Sequence, residues 1–363
     1  MSMSKKRVFT GIIAAMMCVA ALVSCGPASA AQPTAAPEMR TVTDAVGNVL
    51  QVRADLSRIA VLPLPWSSVI YAIDGTSERM VSINPGAMTA YTGLFFSKLD
   101  SAYGKIDTSN IGLDFSVNME EMINLGVQAM VIWDYQPDEA EQLKALGIVP
   151  VMVKNETIED LQASFTAMGQ MLGKEERAQR FNDLYTEAYQ YLKSFAGEVE
   201  AASKPKVLYL RNKQLKLQGS NMFIEEALTL AGADNFAAGL SSLTMEEILK
   251  VDPDIILLSN FDPFTPDDLY TNSIEGQDWS GVSAVLNRRV YKTPVGIYRW
   301  DAPGVETPLM MKWLARLIQP DVFAEIDMRH ELCAYFEELF DYSLTDEDIA
   351  QIFSERANVN SAK

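Results

Sequence analysis

The sequence predicts an α/β protein of two lobes, each with a mainly parallel sheet flanked by helices, joined by one long rigid α-helix. Three observations predict it. A phrase running from Met119 to Ile132 reappears, loosely copied, from Met245 to Leu258. Each copy reads as a capped helical turn, a break and a buried strand, with Asn118 and Thr244 at the N-cap and Glu121 and Glu247 three residues on. On either side of residues 158–202, short apolar runs alternate with helical patterns, the signature of parallel strands covered on both faces. Between them, Ile158 to Ala202 holds no proline and a sustained helical period through Phe165, Met168, Leu172, Phe181, Tyr185, Ala188 and Leu192.

Taken in order, Thr41 to Asp55 suggests a hairpin turning at Gly47-Asn48. Arg58 to Leu62 reads as a buried strand running into Pro63-Leu64-Pro65-Trp66, followed by a helix to Asp74 and a strand from Arg79 to Ile83. Residues 85–115 are rich in Gly, Tyr and Ser with weak periodicity. The first repeat copy follows, then a helix from Pro137 to Leu146 and a strand from Ile148 to Val153. The central helical segment is either one rod of about 30 residues and 45 Å, at 1.5 Å per residue, or two helices broken at Gly173. Alternation restarts with the strand Lys206 to Leu210, a helix from Met222 to Ala231, the second copy, a strand at Arg289-Val290-Tyr291, and a helix from Thr307 to Ile318. Two amphipathic helices close the chain, the second capped by Thr345. The expected divisions are 1–24 as a leader, 25–38 as a tether, 39–157 and 203–363 as lobes, and 158–202 as the link.

The leader carries Lys5, Lys6 and Arg7 ahead of an apolar run from Val8 to Val23, too short for a membrane span. It ends in Leu22-Val23-Ser24-Cys25, which looks like a lipobox. A diacylglyceryl group on Cys25 would anchor the chain to a membrane surface without spanning it; simple secretion with cleavage after Ala30 is the alternative. Ala, Pro, Ser and Thr dominate from Pro27 to Pro37, as in a flexible tether. The expected place is therefore outside the cytoplasm of a bacterial cell envelope. Cys18 lies in the leader, so Cys333 remains as a single thiol and no internal disulfide is expected. With 30 Lys+Arg against 48 Asp+Glu, a net charge of −18 argues against nucleic acid as a partner.

Catalytic signatures are scarce. His330 is the only histidine, which excludes a His-Glu-x-x-His zinc site and leaves one imidazole for any triad. There is no Gly-x-Ser-x-Gly elbow, Walker loop, dinucleotide fingerprint or spaced cysteine set. No enzyme activity and no cofactor are expected.

In this order, behind a lipobox, several segments carry a resemblance. They are Arg58 to Pro63, Leu146 to Val151, Leu230 to Asn235, Val251-Asp252-Pro253-Asp254, Asn287 to Tyr291, Trp300-Asp301-Ala302-Pro303, Trp313 to Arg316 and Leu344 to Ile349. Together they resemble the substrate-binding lipoproteins of ABC importers for iron–siderophore complexes, haem and vitamin B12, the helical-backbone (class III) periplasmic binding proteins. The resemblance implies a monomer that traps a ferric siderophore or similar metal chelate, with haem, cobalamin or a nickel chelate as alternatives, and hands it to an ABC permease and its ATPase. It implies that the ligand lies between the lobes, at the carboxyl ends of strands. The candidate ligand-binding residues there are Trp66, Tyr91, Trp133, Tyr135, Tyr209, Arg211, Tyr298, Arg299 and Trp300. Aromatic faces supply apolar contact and the arginines pair with anionic groups; no metal ligands of the chain's own are expected. Glu306 is the implied permease-docking acid of the C-terminal lobe, while the matching N-terminal position is Ser68, with Asp74 or Glu78 as substitutes. Two other classes compete. A hydrolase requires turnover lost in His330→Ala, and an adhesive lipoprotein requires an exposed apolar patch and no cleft.

Overall fold

A computed structural model describes residues 37–218 and 222–362, which form one compact unit. The leader, Cys25 and nearly all of the tether lie outside these residues. Strands β1 (Met39–Thr43) and β2 (Val49–Arg53) pair as an antiparallel hairpin, and Gly47 takes a φ of 88° at its turn. Then come β3 (Ile59–Val61), α1 (Trp66–Asp74), β4 (Met80–Ile83), α2 (Phe96–Leu99), α3 (Met119–Asn124), β5 (Ala129–Trp133), α4 (Pro137–Ala145) and β6 (Val149–Val153). The sheet has the order β4-β3-β5-β6 and is parallel throughout. All five residues of β5 are buried, as a strand covered on both faces requires.

The link is where expectation and structure part. Residues 158–202 form not one rod but α5 (Ile158–Leu172), α6 (Glu175–Ser194) and α7 (Ala196–Ala201). Gly173 ends α5 in the left-handed conformation, φ 66°, and a Cβ there would stand 2.7 Å from the Arg40 guanidinium. The chain folds back, and Gly169 lets α6 approach so closely that an added Cβ would meet that of Ala178 at 2.5 Å. Asn182 Nδ2 donates to Gln162 O (3.2 Å) and Gln162 Nε2 to Asn182 O (3.1 Å), tying the pair. Helix α5 belongs to the first lobe, its Phe165 ring edge-on to Trp66 at 5.8 Å. The helix that runs from one lobe to the other is α6, 20 residues and therefore about 30 Å long. At its start Arg177 Nε donates to Ala72 O (2.5 Å) of α1; further along, Tyr185 OH donates to Gly304 O (2.5 Å) and Phe195 packs on Phe323.

The second lobe holds β7 (Val207–Leu210), α8 (Met222–Leu230), α9 (Met245–Val251), β8 (Ile255–Leu258), α10 (Pro266–Tyr270), α11 (Ser283–Leu286), β9 (Val290–Lys292) and α12 (Thr307–Ile318). Its described strands form a parallel sheet in the order β7-β8-β9. Two tail helices follow, α13 (Met328–Phe340) and α14 (Asp346–Ile352), the latter opened by a capping box between Thr345 and Asp348. The tail returns to the first lobe: Phe95 packs on Phe336 with centroids 5.0 Å apart, and Lys98 Nζ pairs with Asp348 at 2.6 Å. The lobes are thus bridged by α6 and by the tail.

The repeat is also structural. Thr244 and Glu247 form a complete capping box. Asn118 caps α3 by accepting from Glu121 N, while Glu121 Oε1 accepts instead from Asn124 Nδ2 (3.3 Å), so the first copy has half of the box. Both copies then turn through a left-handed residue, Gly126 (φ 62°) and Asp252 (φ 53°).

Candidate ligand-binding cleft

The loops that leave the carboxyl ends of the strands in the two sheets face each other across a cavity of about 190 Å³. The first lobe contributes Leu64 and Pro65 after β3, Phe115, Trp133 at the end of β5, and Asn155 after β6. The second contributes Arg211 after β7, Gln218, Phe261 after β8, and Tyr298 and Arg299 after β9. A wider hollow of about 820 Å³ lies elsewhere, lined by Pro205, Asp254 and Arg289 beside the amino ends of β7, β8 and β9. It belongs to the second lobe alone and is at the wrong end of the sheet for a strand-end ligand site.

Charge is concentrated on one wall. The guanidinium carbons of Arg211 and Arg299 each stand 3.5 Å from the centre of the Phe261 ring. Two guanidinium groups cannot share one ring face at that distance, so the ring separates them. Arg211 Nη1 donates to Gln218 Oε1 (3.1 Å), and Arg299 Nη2 donates to Tyr298 OH (3.1 Å). Arg299 Nε has no hydrogen-bond partner although the side chain is 5% exposed. The carboxylate near them, Asp301, is buried and forms a long ion pair with Arg299, its Oδ1 accepting no hydrogen bond. Its Oδ2 accepts from Ser259 Oγ and from Asn260 N (2.8 Å), and its Oδ1 lies 3.9 Å from Arg299 Nε. Burial first, and then repulsion from Arg299, hold the Arg211 guanidinium below the usual arginine range, with Asp301 offsetting part of it. Across the cleft, the indole Nε1 of buried Trp133 is a further donor without a partner. Unpaired buried donors cost roughly 1–3 kcal/mol each, and the cleft keeps one on each wall, which suits a ligand that brings acceptors.

Of the residues expected at the site, Trp133, Arg211, Tyr298 and Arg299 line the cavity, and exposed Tyr135 stacks on Trp133 with centroids 5.9 Å apart. The others lie in the packing around it. Trp66 is buried against Phe165; Tyr91 donates from its hydroxyl to Asp100 O (2.9 Å); Tyr209 shares a hydrogen bond with Thr293 Oγ1 (3.0 Å) inside the second lobe. Trp300 is buried and donates from Nε1 to Glu306 (3.2 Å). Asn155 and Gln218 had no sequence signal, as amides in loops are commonplace. Phe115 stands out only by its backbone, with φ at 67°.

Glu306 departs from its expected place. It is not a surface acid but 4% exposed, accepting from Tyr298 N (3.0 Å) and Trp300 Nε1. Burial pushes its carboxyl up to about 7. A carboxylate enclosed in this way offers nothing to a partner's basic residue. Ser68 is buried too, its Oγ donating to Pro65 O (2.7 Å), and Asp74 is enclosed beside Arg79 at 3.1 Å. His330 is exposed at the start of α13. Among the described residues no group of three or more His, Cys, Asp or Glu is placed to hold a metal ion, and no helix is long and apolar enough to cross a membrane.

Two lobes, strand-end loops and a cavity between them define a solute-binding protein, and comparison places the chain more closely. A family model described as periplasmic binding protein matches residues 102–295. A periplasmic solute binding protein from Veillonella parvula is 40% identical and superposes with a TM-score of 0.83, covering 89% of this chain and 99% of its own. The chain belongs to the periplasmic binding protein family, a family of transporter substrate-binding proteins. The molybdate-binding protein MolA of Haemophilus influenzae is 24% identical over 263 residues, 65% of this chain and 73% of that protein. A nickel–histidine complex of Helicobacter pylori CeuE has a TM-score of 0.67 at 20% identity, covering 86% of this chain and 98% of its own; it speaks to the fold alone.

Proposed function

We propose that this protein is the solute-binding component of an ABC importer, held outside the cytoplasm by a lipid on Cys25, and that its cargo is a compact anion. That cargo is an oxyanion or a small anionic metal chelate, captured between the lobes and passed to the permease. The carrying observation is the pair Arg211 and Arg299, set against Phe261 with Asp301 as the single carboxylate beside them. Two guanidinium groups against one carboxylate leave an excess positive charge, and charge-assisted bonds to oxyanions are among the strongest a site can make. The molybdate bound by MolA is a compact oxyanion of this kind. Haem and cobalamin fit less well, because a 190 Å³ cavity is below the 300–1,000 Å³ usual for drug-sized ligands. A ferric siderophore remains the second reading. The exposed ring of Tyr135, stacked on Trp133 at the rim, is a face on which a bulkier chelate would lie once the lobes part.

Calorimetric titration against molybdate, tungstate, sulfate, nickel–histidine, ferric siderophores, haem and cobalamin tests this. Binding of one compact anion with quenching of Trp133 fluorescence is expected. Binding of ferric siderophores alone selects the second reading, and silence across the panel, or binding of haem or cobalamin only, rejects the proposal.

A further inference from the structure

Lys292, at the end of β9, is 6% exposed and does not line the cavity. Its ammonium has three hydrogens and three acceptors: Ser259 O at 2.7 Å, Asp262 O at 2.7 Å and Phe264 O at 2.8 Å. All three are backbone carbonyls, and all belong to the short loop that carries Phe261 into the cleft. No carboxylate forms an ion pair with it, although Asp301, Asp262 and Asp268 lie near enough to favour its charge while Arg299 opposes it. A lysine enclosed this way is costly unless every proton is satisfied, and here every proton is. The arrangement is that of a cation wrapped by a loop, with the cation supplied by the protein itself.

We infer that Lys292 is a positioning residue for the cleft: its ammonium fixes residues 259–264 and thereby sets where Phe261 stands between Arg211 and Arg299. This rests on the assignment of the cleft as the solute site. The ring is the spacer that keeps two like charges apart, so a shift of the loop alters the separation and tilt of both guanidinium groups. Neighbouring bonds hold the loop's flanks: Asn260 Nδ2 donates to Thr293 O (2.7 Å), and Lys213 N to Asp262 Oδ2 (3.1 Å). Among the described residues, Lys292 alone donates to carbonyls on both sides of Phe261.

Lys292→Met keeps the side-chain bulk and removes the donors. Amide hydrogen exchange in the unliganded protein is expected to quicken at residues 259–264 in this variant. Affinity for whichever anion in the panel binds is expected to fall roughly tenfold. In a Phe261→Ala background the same change is expected to cost nothing further, because the two residues act through one contact. Unchanged exchange in 259–264 overturns the inference. So does a loss that simply adds to that of Phe261→Ala, which would mark a general field effect of the charge. Lys292→Gln, which retains two N–H donors, is expected to fall between the two; failure of both variants to fold assigns Lys292 a purely structural role and likewise overturns it. The exchange measurement needs no ligand, so a silent panel rejects the functional proposal while the loop clamp is still decided.

Discussion

The two walls of the cleft are made by the same grammar and carry opposite chemistry. Each consists of loops at the carboxyl ends of parallel strands. The first lobe offers Leu64, Pro65, Phe115 and Trp133, mostly apolar surface with one indole donor and the Asn155 amide. The second offers two guanidinium groups, and beneath them two buried ionisable side chains that meet neutral partners rather than counter-charge. Lys292 holds three carbonyls, and Glu306 accepts from Tyr298 N and the Trp300 indole. One wall is shape and the other is charge on a braced frame. Burying charge is tolerated only where geometry fixes its partners, so the second wall should be the less forgiving of change.

Removing that charge should have the largest effect. Arg299→Ala is expected to weaken anion binding about 100-fold or more, as truncation of a buried charge-pair partner commonly costs 2–5 kcal/mol. Arg211→Ala should cost somewhat less, because Arg211 is less enclosed than Arg299. Titration of both variants checks the order; an unaffected Arg299→Ala would remove the contrast between the walls.

The brace comes next. A Cβ at Gly296 would sit 1.7 Å from Glu306 Oε1, so Gly296→Ala must displace the carboxylate and release the segment bearing Tyr298 and Arg299. Both affinity and melting temperature should drop. Glu306 also sets a pH dependence. Its carboxyl is raised from the ordinary glutamate value to about 7, so the folded protein holds this proton more tightly than the unfolded chain. The contribution to stability is complete below about pH 4.5 and is lost as pH rises through 7, on the order of 3 kcal/mol. Glu306→Gln should flatten that part of the stability profile between pH 5 and pH 8 in denaturant titrations.

The apolar wall should respond more mildly. Trp133→Phe keeps the ring against Tyr135 and removes the unpartnered Nε1–H. A loss of a few-fold in affinity is expected, about 1 kcal/mol for a neutral hydrogen bond. A loss matching that of Arg299→Ala would show that the two walls are energetically equal.

What the sequence disclosed follows the same divide. Buried strands such as Ala129–Trp133 and the capped turns of the repeat are local patterns, and they were legible. The break at Gly173 was one of two outcomes the pattern allowed, and the close contact of Gly169 with Ala178 that accompanies it is tertiary. Aromatic residues were ambiguous because one residue type serves core and cleft alike. In β7, Tyr209 faces inward to Thr293 while Arg211, just past the strand, turns to the cavity. Arg211, Phe261 and Arg299 come from three separate loops, and no spacing in the chain announces that one ring separates two guanidinium groups. Glu306 resembled a surface acid since the missing side chain of Gly296, which gives it room, lies ten residues away.

The smallest expected effect separates the lobes at one equivalent turn. Gly126 adopts its left-handed backbone without a side chain, whereas Asp252 does so with one, at a cost of about 1–2 kcal/mol for an L-residue. Its carboxylate recovers this by accepting from Ser283 N (2.7 Å) and Ser283 Oγ (2.6 Å), bonds that also lower its pKa. Asp252→Gly removes strain and bonds together, so a net destabilisation of about 1 kcal/mol or less is expected at pH 7. Because a depressed carboxyl stabilises above its unfolded value and loses that contribution as pH falls through the folded one, the variant should match or exceed the parent in acid. Melting curves at pH 7 and pH 3 measure both. A variant that is much weaker at both values would mean that Ser283 and the start of α11 depend on Asp252 for more than these two bonds.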